Sequence, residues 1–373
     1  MSVVHRVDDA YVLTPQGFVR GSLALQDGGR IAGIDGTPVS ESEVRHGAAL
    51  PIVLPGFIDV HVHGGAGRDT MEGGDAARAI ARMHARHGTT ALLATTMTAP
   101  LDDIRQALAA LGPLCRERDP QGARVLGVHL EGPYINPGKL GAQPDFAKPA
   151  SLDEIRALHA LAPIRLITLA PELPGNLELI TALRAAGFQV QVGHTLGSYE
   201  DGVAALAHGA GGFTHLFNAM SQIGNRDPGV AGAALHHGTV WAGLIADGIH
   251  VHPATIGIAL RSKAGPGRVF LVSDSMSQAG TDLSSFELNG RTIFRKDGAL
   301  RLADGTLAGA DLTLDAAVRY AHFSLRLPLE EALRMASLYP AQAIGATGLG
   351  RLKPGAEARP IWLDDQLRVR ELP

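Results

Sequence analysis

His61 and His63 stand two apart in Asp59-Val60-His61-Val62-His63, and on an extended chain that spacing turns both imidazoles to one side. Further along come Glu131 in His129-Leu130-Glu131-Gly132-Pro133, then His194, His215, the pair His250 and His252, and Asp274. Imidazole and carboxylate are the ligands that divalent transition metals take in catalytic sites, where an open position holds a water for hydrolysis. A histidine after a strand is ordinarily structural, so each residue alone decides little. Their joint placement decides more, because His61, His63, Glu131, His194, His215 and Asp274 each follow one of five different expected strands. His129, two residues before Glu131, reads as a supporting or structural histidine. The remaining histidines lie in helical or loop contexts without strand-end placement.

The elements that must position these groups read as short apolar runs alternating with helical stretches between residues 53 and 346. The expected strands are Phe57–Val60, Ala91–Thr95, Arg124–His129, Ile164–Leu169, Gln189–Val192, Gly212–Thr214, Val240–Ile245 and Val269–Val272. Helical patterns cover Gly74–Arg86, Leu101–Arg118, Leu152–Leu161, Leu177–Ala186, Ser198–Ala207 and Ala254–Ser262. Strands alternating with helices imply a parallel sheet, and eight is the number that closes a (β/α)8 TIM-type barrel. An open doubly wound sheet is the rival. In the barrel the carboxyl ends of the strands converge on one face, where active sites sit.

Both chain ends differ from this middle. Ala10–Leu13, Ser22–Gln26 and Arg30–Ile34 read as short strands between turn signals, and Pro360–Leu363 with Gln366–Val369 echo them. Neither end carries enough apolar residues for its own core. The expected α/β architecture is therefore a barrel over residues 53–346 with a small β-sandwich domain formed by 1–52 and 347–373.

Among the 373 residues, 45% are hydrophobic and 19% charged, and the formal net charge is −4. That balance offers no basic surface for nucleic acid or membrane. No apolar run approaches the roughly 20 residues of a membrane-spanning helix. Cys115 is the one cysteine, so no internal disulfide forms and a reducing compartment is expected. Met1–Tyr11 carries charges and lacks the apolar stretch of a signal peptide, and a cytoplasmic location is expected.

The motifs around the chemistry-bearing positions resemble the amidohydrolase superfamily, and within it the N-acetylglucosamine-6-phosphate deacetylases. The matching segments are Pro55–Gly64, Gly88–Thr90, His129–Gln143, Thr168–Glu172, Val192–Thr195, Thr214–Met220, Asp247–Val251, Leu271–Asp274 and Leu307–Leu314. They run in order through nearly the whole chain. HLEGPY together with THLFNAM is far more specific for this family than His-x-His, which the superfamily shares.

The resemblance implies a hydrolase that deacetylates N-acetylglucosamine-6-phosphate. It implies that Glu131, His194 and His215 bind the principal divalent metal, zinc first, with iron, manganese or cobalt as other choices. Asp274 would act as general base and then general acid. Asn218, Ala219 and the loop Leu307, Ala308 and Gly309 would hold the sugar. Arg226 and His250 would hold the phosphate, Arg226 reaching across a homodimer. Some members lack the first-strand histidines and use one metal. This chain keeps His61 and His63, so a second metal bridged by Glu131 is expected, one or two per chain. Gln143 stands where members often carry a histidine that polarises the substrate carbonyl; glutamine donates a hydrogen bond but carries no positive charge. Other readings are a deacetylase of the galactosamine epimer and a cyclic-amide hydrolase of the dihydroorotase or hydantoinase kind. The latter usually carries a bridging lysine after the fourth strand, where this chain reads Thr168-Leu169-Ala170-Pro171-Glu172.

Overall fold

Eight short apolar segments lie side by side in sequence order as one parallel sheet: Phe57–Val62, Thr89–Thr95, Arg124–Glu131, Ile164–Leu169, Gln189–Val192, Gly212–Phe213, Trp241–Leu244 and Val269–Leu271. The coordinates are a computed structural model that describes residues 3–263, 267–288, 290–356 and 359–370. The sheet curls round to meet itself. Val62 bridges Ser275 in parallel, the Asp274 N–H donates to the His61 carbonyl at 3.0 Å, and the His63 N–H donates to the Ser275 carbonyl at 3.0 Å. The barrel expected from the strand count is thus the one formed, and the open sheet is not.

Burial on both faces explains why the strands are mostly apolar: every residue of Val269–Leu271 is buried and apolar, and Phe57–Val62, equally buried, is interrupted only by Asp59 and His61. The helices return along the outside. Gly74–Arg86 buries Ala76, Ala77, Ile80, Ala81, Met83 and His84, one stripe of a 3.6-residue period. Tyr199–Ala207 starts from a capping box in which the Ser198 side chain accepts the Asp201 N–H and Asp201 accepts the Ser198 N–H.

A separate β-sandwich-like sheet of six strands comes from both chain ends. Its order is Val369–Arg370, Pro360–Leu363, Ile52–Pro55, Val3–Thr14, Gly17–Gln26 and Ile31–Pro38. Alternate residues serve opposite faces, as the two-residue strand period requires. Tyr11, Leu13, Leu54 and Leu363 pack into the same apolar cluster as Phe57, Ile58 and Phe270 of the barrel. Ala10, Val12, Val53 and Leu352 form a second cluster on the far side.

The differences from expectation are local. Ile52–Pro55, taken as a boundary, is a strand that runs parallel to Val3–Thr14 and antiparallel to Pro360–Leu363, joining the two ends. Gln366–Val369 shortens to Val369–Arg370. Three further strands, Ser285–Leu288, Arg291–Lys296 and Ala299–Arg301, form a small antiparallel sheet after the eighth barrel strand. Residues 1–2, 357–358 and 371–373 of the expected small domain lie outside the described residues. Among the described residues no helix is long and apolar enough to cross a membrane.

Candidate metal centre

Five of the eight barrel strands deliver polar groups to the same end. His61 lies in the first strand and His63 just beyond it, while Glu131 closes the third. His194, His215 and Asp274 follow the fifth, sixth and eighth within three residues. All six are buried. Glu131 is their hub. Its Oε1 lies 3.1 Å from His215 Nε2, 3.3 Å from His194 Nε2 and 3.4 Å from His61 Nε2. Its Oε2 lies 3.2 Å from His63 Nε2. Asp274 Oδ1 completes the group at 3.2 Å from His61 Nε2 and 3.3 Å from His63 Nε2.

The backbone is bent to reach this arrangement. His194, His215 and Asp274 have φ of 49°, 28° and 49°, and Ala219 has 49°. Side-chain-bearing residues rarely adopt this left-handed region, which costs on the order of 1–3 kcal/mol each and gathers at functional sites.

Burial works against charge here, yet the histidines outweigh it. Desolvation pushes Glu131 up, but His61, His194 and His215 hold it well below the usual carboxylate range. Desolvation likewise pushes Asp274 up, and His61, His63 and His215 bring it far down. Both carboxylates are therefore ionised at neutral pH. Burial lowers the pKa of His63, but Asp274 and Glu131 lift it to about 10.

Two buried carboxylates among imidazoles call for positive charge, and a divalent cation supplies it. The donor set fits one. His61, Glu131 and His215 form one group whose ligand atoms lie within 4.8 Å of one another, and His61, His63 and Asp274 form another. His194 adjoins the first group, with its Nε2 3.1 Å from His215 Nε2 and 3.3 Å from Glu131 Oε1. These are N/O ligand types that zinc, iron, manganese and cobalt accept.

Surrounding groups hold the ligands in place. The Lys139 carbonyl faces His194 Nδ1 at 2.8 Å, so that nitrogen donates and Nε2 is left with its lone pair toward Glu131. Glu172 accepts the Leu196 N–H and an Asn136 amide N–H, both at 2.8 Å, and so ties down the loop behind His194. His129 is structural: its ring nitrogens reach the Val60 carbonyl at 3.1 Å and Thr168 Oγ1 at 2.7 Å. Gln143 donates to Glu131 Oε2 at 2.8 Å and accepts the Thr98 N–H at 2.6 Å.

The centre opens into a cavity of about 320 Å³, within the range of small-molecule sites. Gln143, Asn218, Ala219, His250, Leu307 and Gly309 line it. His250 is held by Asp247 Oδ2 at 2.6 Å from its Nδ1, while its buried Nε2 has no partner among the described residues. Burial disfavours the His250 imidazolium, but Asp247 overcomes this and raises the pKa above the ordinary value. Gly309 sits at φ +63°, and a Cβ there would meet Met276 Cγ at 2.6 Å, so glycine is required where this loop crosses the pocket.

Three positions fall elsewhere. Ala308 turns from the cavity into an apolar cluster with Met97 and Met276. Arg226 is exposed and does not line its own chain's cavity. His252 caps the helix Pro253–Ser262, accepting the Ala254 N–H at 3.2 Å. Sequence reasoning passed over Thr98, Lys139 and the roles of Asp247 and Glu172. The last two lie inside segments already singled out, and a carboxylate three residues before His250 was a readable signal. Nothing local marks Thr98, whose contact with Gln143 spans 45 positions.

Comparison with known proteins agrees with this geometry. Residues 52–367 match the amidohydrolase family. An N-acetylgalactosamine-6-phosphate deacetylase of Escherichia coli O157:H7 is 37% identical over 97% of this chain and 95% of its own length. An N-acetylglucosamine-6-phosphate deacetylase of Vibrio furnissii is 36% identical over 94% of this chain and 88% of its own. A mutant N-acetyl-D-glucosamine-6-phosphate deacetylase of Mycobacterium smegmatis, solved with N-acetyl-D-glucosamine-6-phosphate, superposes with a TM-score of 0.88. It shares 30% identity and covers 99% of this chain and 97% of that one.

Proposed function

The chain belongs to the amidohydrolase family, and from that footing we propose that it hydrolyses the acetamide of N-acetylglucosamine-6-phosphate to glucosamine-6-phosphate and acetate. The observation that carries the reading is the convergence of His61, His194 and His215 on one Glu131 oxygen beside Asp274, at the floor of an open cavity. The galactosamine-named and glucosamine-named relatives match about equally, so the gluco epimer is our assignment from the solved structure holding that sugar, which covers 99% of this chain.

Glu131, His194 and His215 would hold the principal divalent metal, zinc in our reading, and His61 and His63 a second one that shares Glu131. Such a metal supplies Lewis acidity, lowering the pKa of a water and stabilising charge on the carbonyl oxygen. Asp274 takes the proton from the attacking water and returns it to the departing nitrogen, since an amine leaves poorly unless protonated. The second amide N–H of Gln143 remains for the acetyl oxygen. Asn218, Ala219 and the loop Leu307–Gly309 enclose the sugar.

The His250 Nε2, unpartnered among the described residues and on a ring that Asp247 keeps prone to protonation, suits a phosphate oxygen. Arg226 would add its planar fork to the phosphate of a neighbouring protomer in a homodimer, which accords with its position outside its own cavity. The lone thiol Cys115 accords with a cytoplasmic enzyme.

The reading is tested by acetate release from N-acetylglucosamine-6-phosphate before chelator treatment, after it, and after reloading with zinc. Release should vanish on stripping and return on reloading. Undiminished release by the stripped protein would contradict it.

A further inference from the structure

The barrel end away from the metal centre carries a second hollow whose charge is one-sided. A cleft of about 760 Å³ lies between the starts of the third and fourth barrel strands, the segment 344–349 and residues 353–356 beside the small sheet. Arg124 and Arg165 line it from the barrel, and Arg30 and Lys353 from the small-sheet side. An adjoining smaller hollow shares Arg124 and Leu349 and adds Arg359. Among the described residues no Asp or Glu lines either hollow. Composition does not account for this, since the chain has 37 acidic against 33 basic residues.

Elsewhere arginines meet carboxylates: Arg82 reaches Asp119, Arg319 reaches Asp315 and Arg334 reaches Glu330. Around the two hollows three arginines are instead anchored on backbone carbonyls, Arg30 and Arg165 in the cleft and Arg359 in the smaller hollow. Arg30 donates to Gly355 at 3.0 Å, Arg165 to Leu126 at 3.4 Å and Arg359 to Gly122 at 2.7 Å. Carbonyls orient a guanidinium without neutralising it, and each fork keeps further N–H groups for an anion. The cleft's size is that of a small-molecule site, and among the described residues no aromatic lines it to stack a nucleobase. Its cations form two sets, one from each side.

We propose that this cleft binds a compact organic polyanion, a sugar carrying two phosphates, one grasped by Arg30 and Lys353 and the other by Arg124 and Arg165. The third barrel strand begins at Arg124 and ends at Glu131, about 23 Å away at the usual rise per residue. Cleft and metal centre can therefore be perturbed separately.

The test is calorimetric titration of metal-loaded enzyme with fructose 1,6-bisphosphate at physiological salt, beside fructose 6-phosphate. Saturable binding of the bisphosphate is expected, with the monophosphate weaker by about tenfold or more. R124Q/R165Q and, separately, R30Q/K353Q should each weaken bisphosphate binding by about tenfold or more while leaving the KM for the acetylated sugar phosphate unchanged. The second pair consists of exposed side chains, so it answers for the first if that variant folds poorly. No saturable binding up to about 10 mM would overturn the proposal, as would wild-type affinity in both variants, which would place the ligand outside this cleft.

Discussion

Gln143 donates its amide N–H to Glu131 Oε2 across 2.8 Å while its own oxygen accepts the Thr98 backbone N–H at 2.6 Å. The two bonds fix which way the amide faces, because a carbonyl oxygen cannot approach a carboxylate with profit and an NH₂ cannot accept from Thr98. Gln143 therefore orients the residue on which the histidines converge. Outer partners of metal ligands are commonly worth 10–100-fold in affinity or activity. Gln143→Ala should weaken zinc binding by about that factor, read by competition with a chromophoric chelator. Unchanged zinc affinity would remove Gln143 from this role.

Asp274 meets His61 and His63 but lies outside the trio of Glu131, His194 and His215 assigned to the principal metal. Asp274→Asn should keep that metal and lose about 10²–10⁴-fold in kcat, the usual contribution of a positioned general acid–base. Near-normal turnover would exclude Asp274 as the proton carrier.

Two ligand groups share His61 at the centre. Under saturating zinc, elemental analysis should find two metals per chain in the wild type and one in the double variant H61A/H63A. A wild-type count fixed at one, with both histidines intact, would refute the second site.

His84 lies outside the metal groups, at the seam between the first and eighth strands. Its Nε2 sits 3.2 Å from the Gly64 carbonyl and 3.0 Å from Ser275 Oγ. Burial lowers its pKa from 6.5 to about 4. Between those values the unfolded chain binds more protons than the folded one, so stability falls as pH falls. The contribution is whole above pH 6.5, declines toward pH 4 and is level below it. His84→Gln, which does not titrate, should show a shallower loss of denaturant midpoint from pH 7 to 5 than the wild type. Parallel profiles for the two proteins would rule this out.

Much of the barrel was legible because short segments rich in β-branched and other apolar residues alternate with helical patterns. Gln189–Val192 and Ile164–Leu169 fall where the residues alone place them. The site was legible through strand-end position, which brought residues as distant as His61 and Asp274 together. The hairpin strands Ser285–Leu288 and Arg291–Lys296 escaped because few of their residues are buried and they mix charged with apolar residues. Ile52–Pro55 escaped because its partners, Val3–Thr14 and Pro360–Leu363, lie at opposite ends of the chain. The left-handed backbone at His194, His215 and Asp274 has no local mark either, because the surrounding fold imposes a conformation these residue types do not favour.

The central claim is deacetylation of a phosphorylated amino sugar, and kcat/KM for acetate release tests it most directly. Metal-loaded enzyme would be assayed on N-acetylglucosamine-6-phosphate, its galactosamine epimer and unphosphorylated N-acetylglucosamine. The highest value is expected for N-acetylglucosamine-6-phosphate, with a loss of about 10²-fold or more without the phosphate, the scale of one or two charge-assisted hydrogen bonds. A higher value for the galactosamine epimer would reassign the substrate, and equal turnover of the unphosphorylated sugar would contradict the roles given to Arg226 and His250. No acetate from any of the three would contradict the account itself.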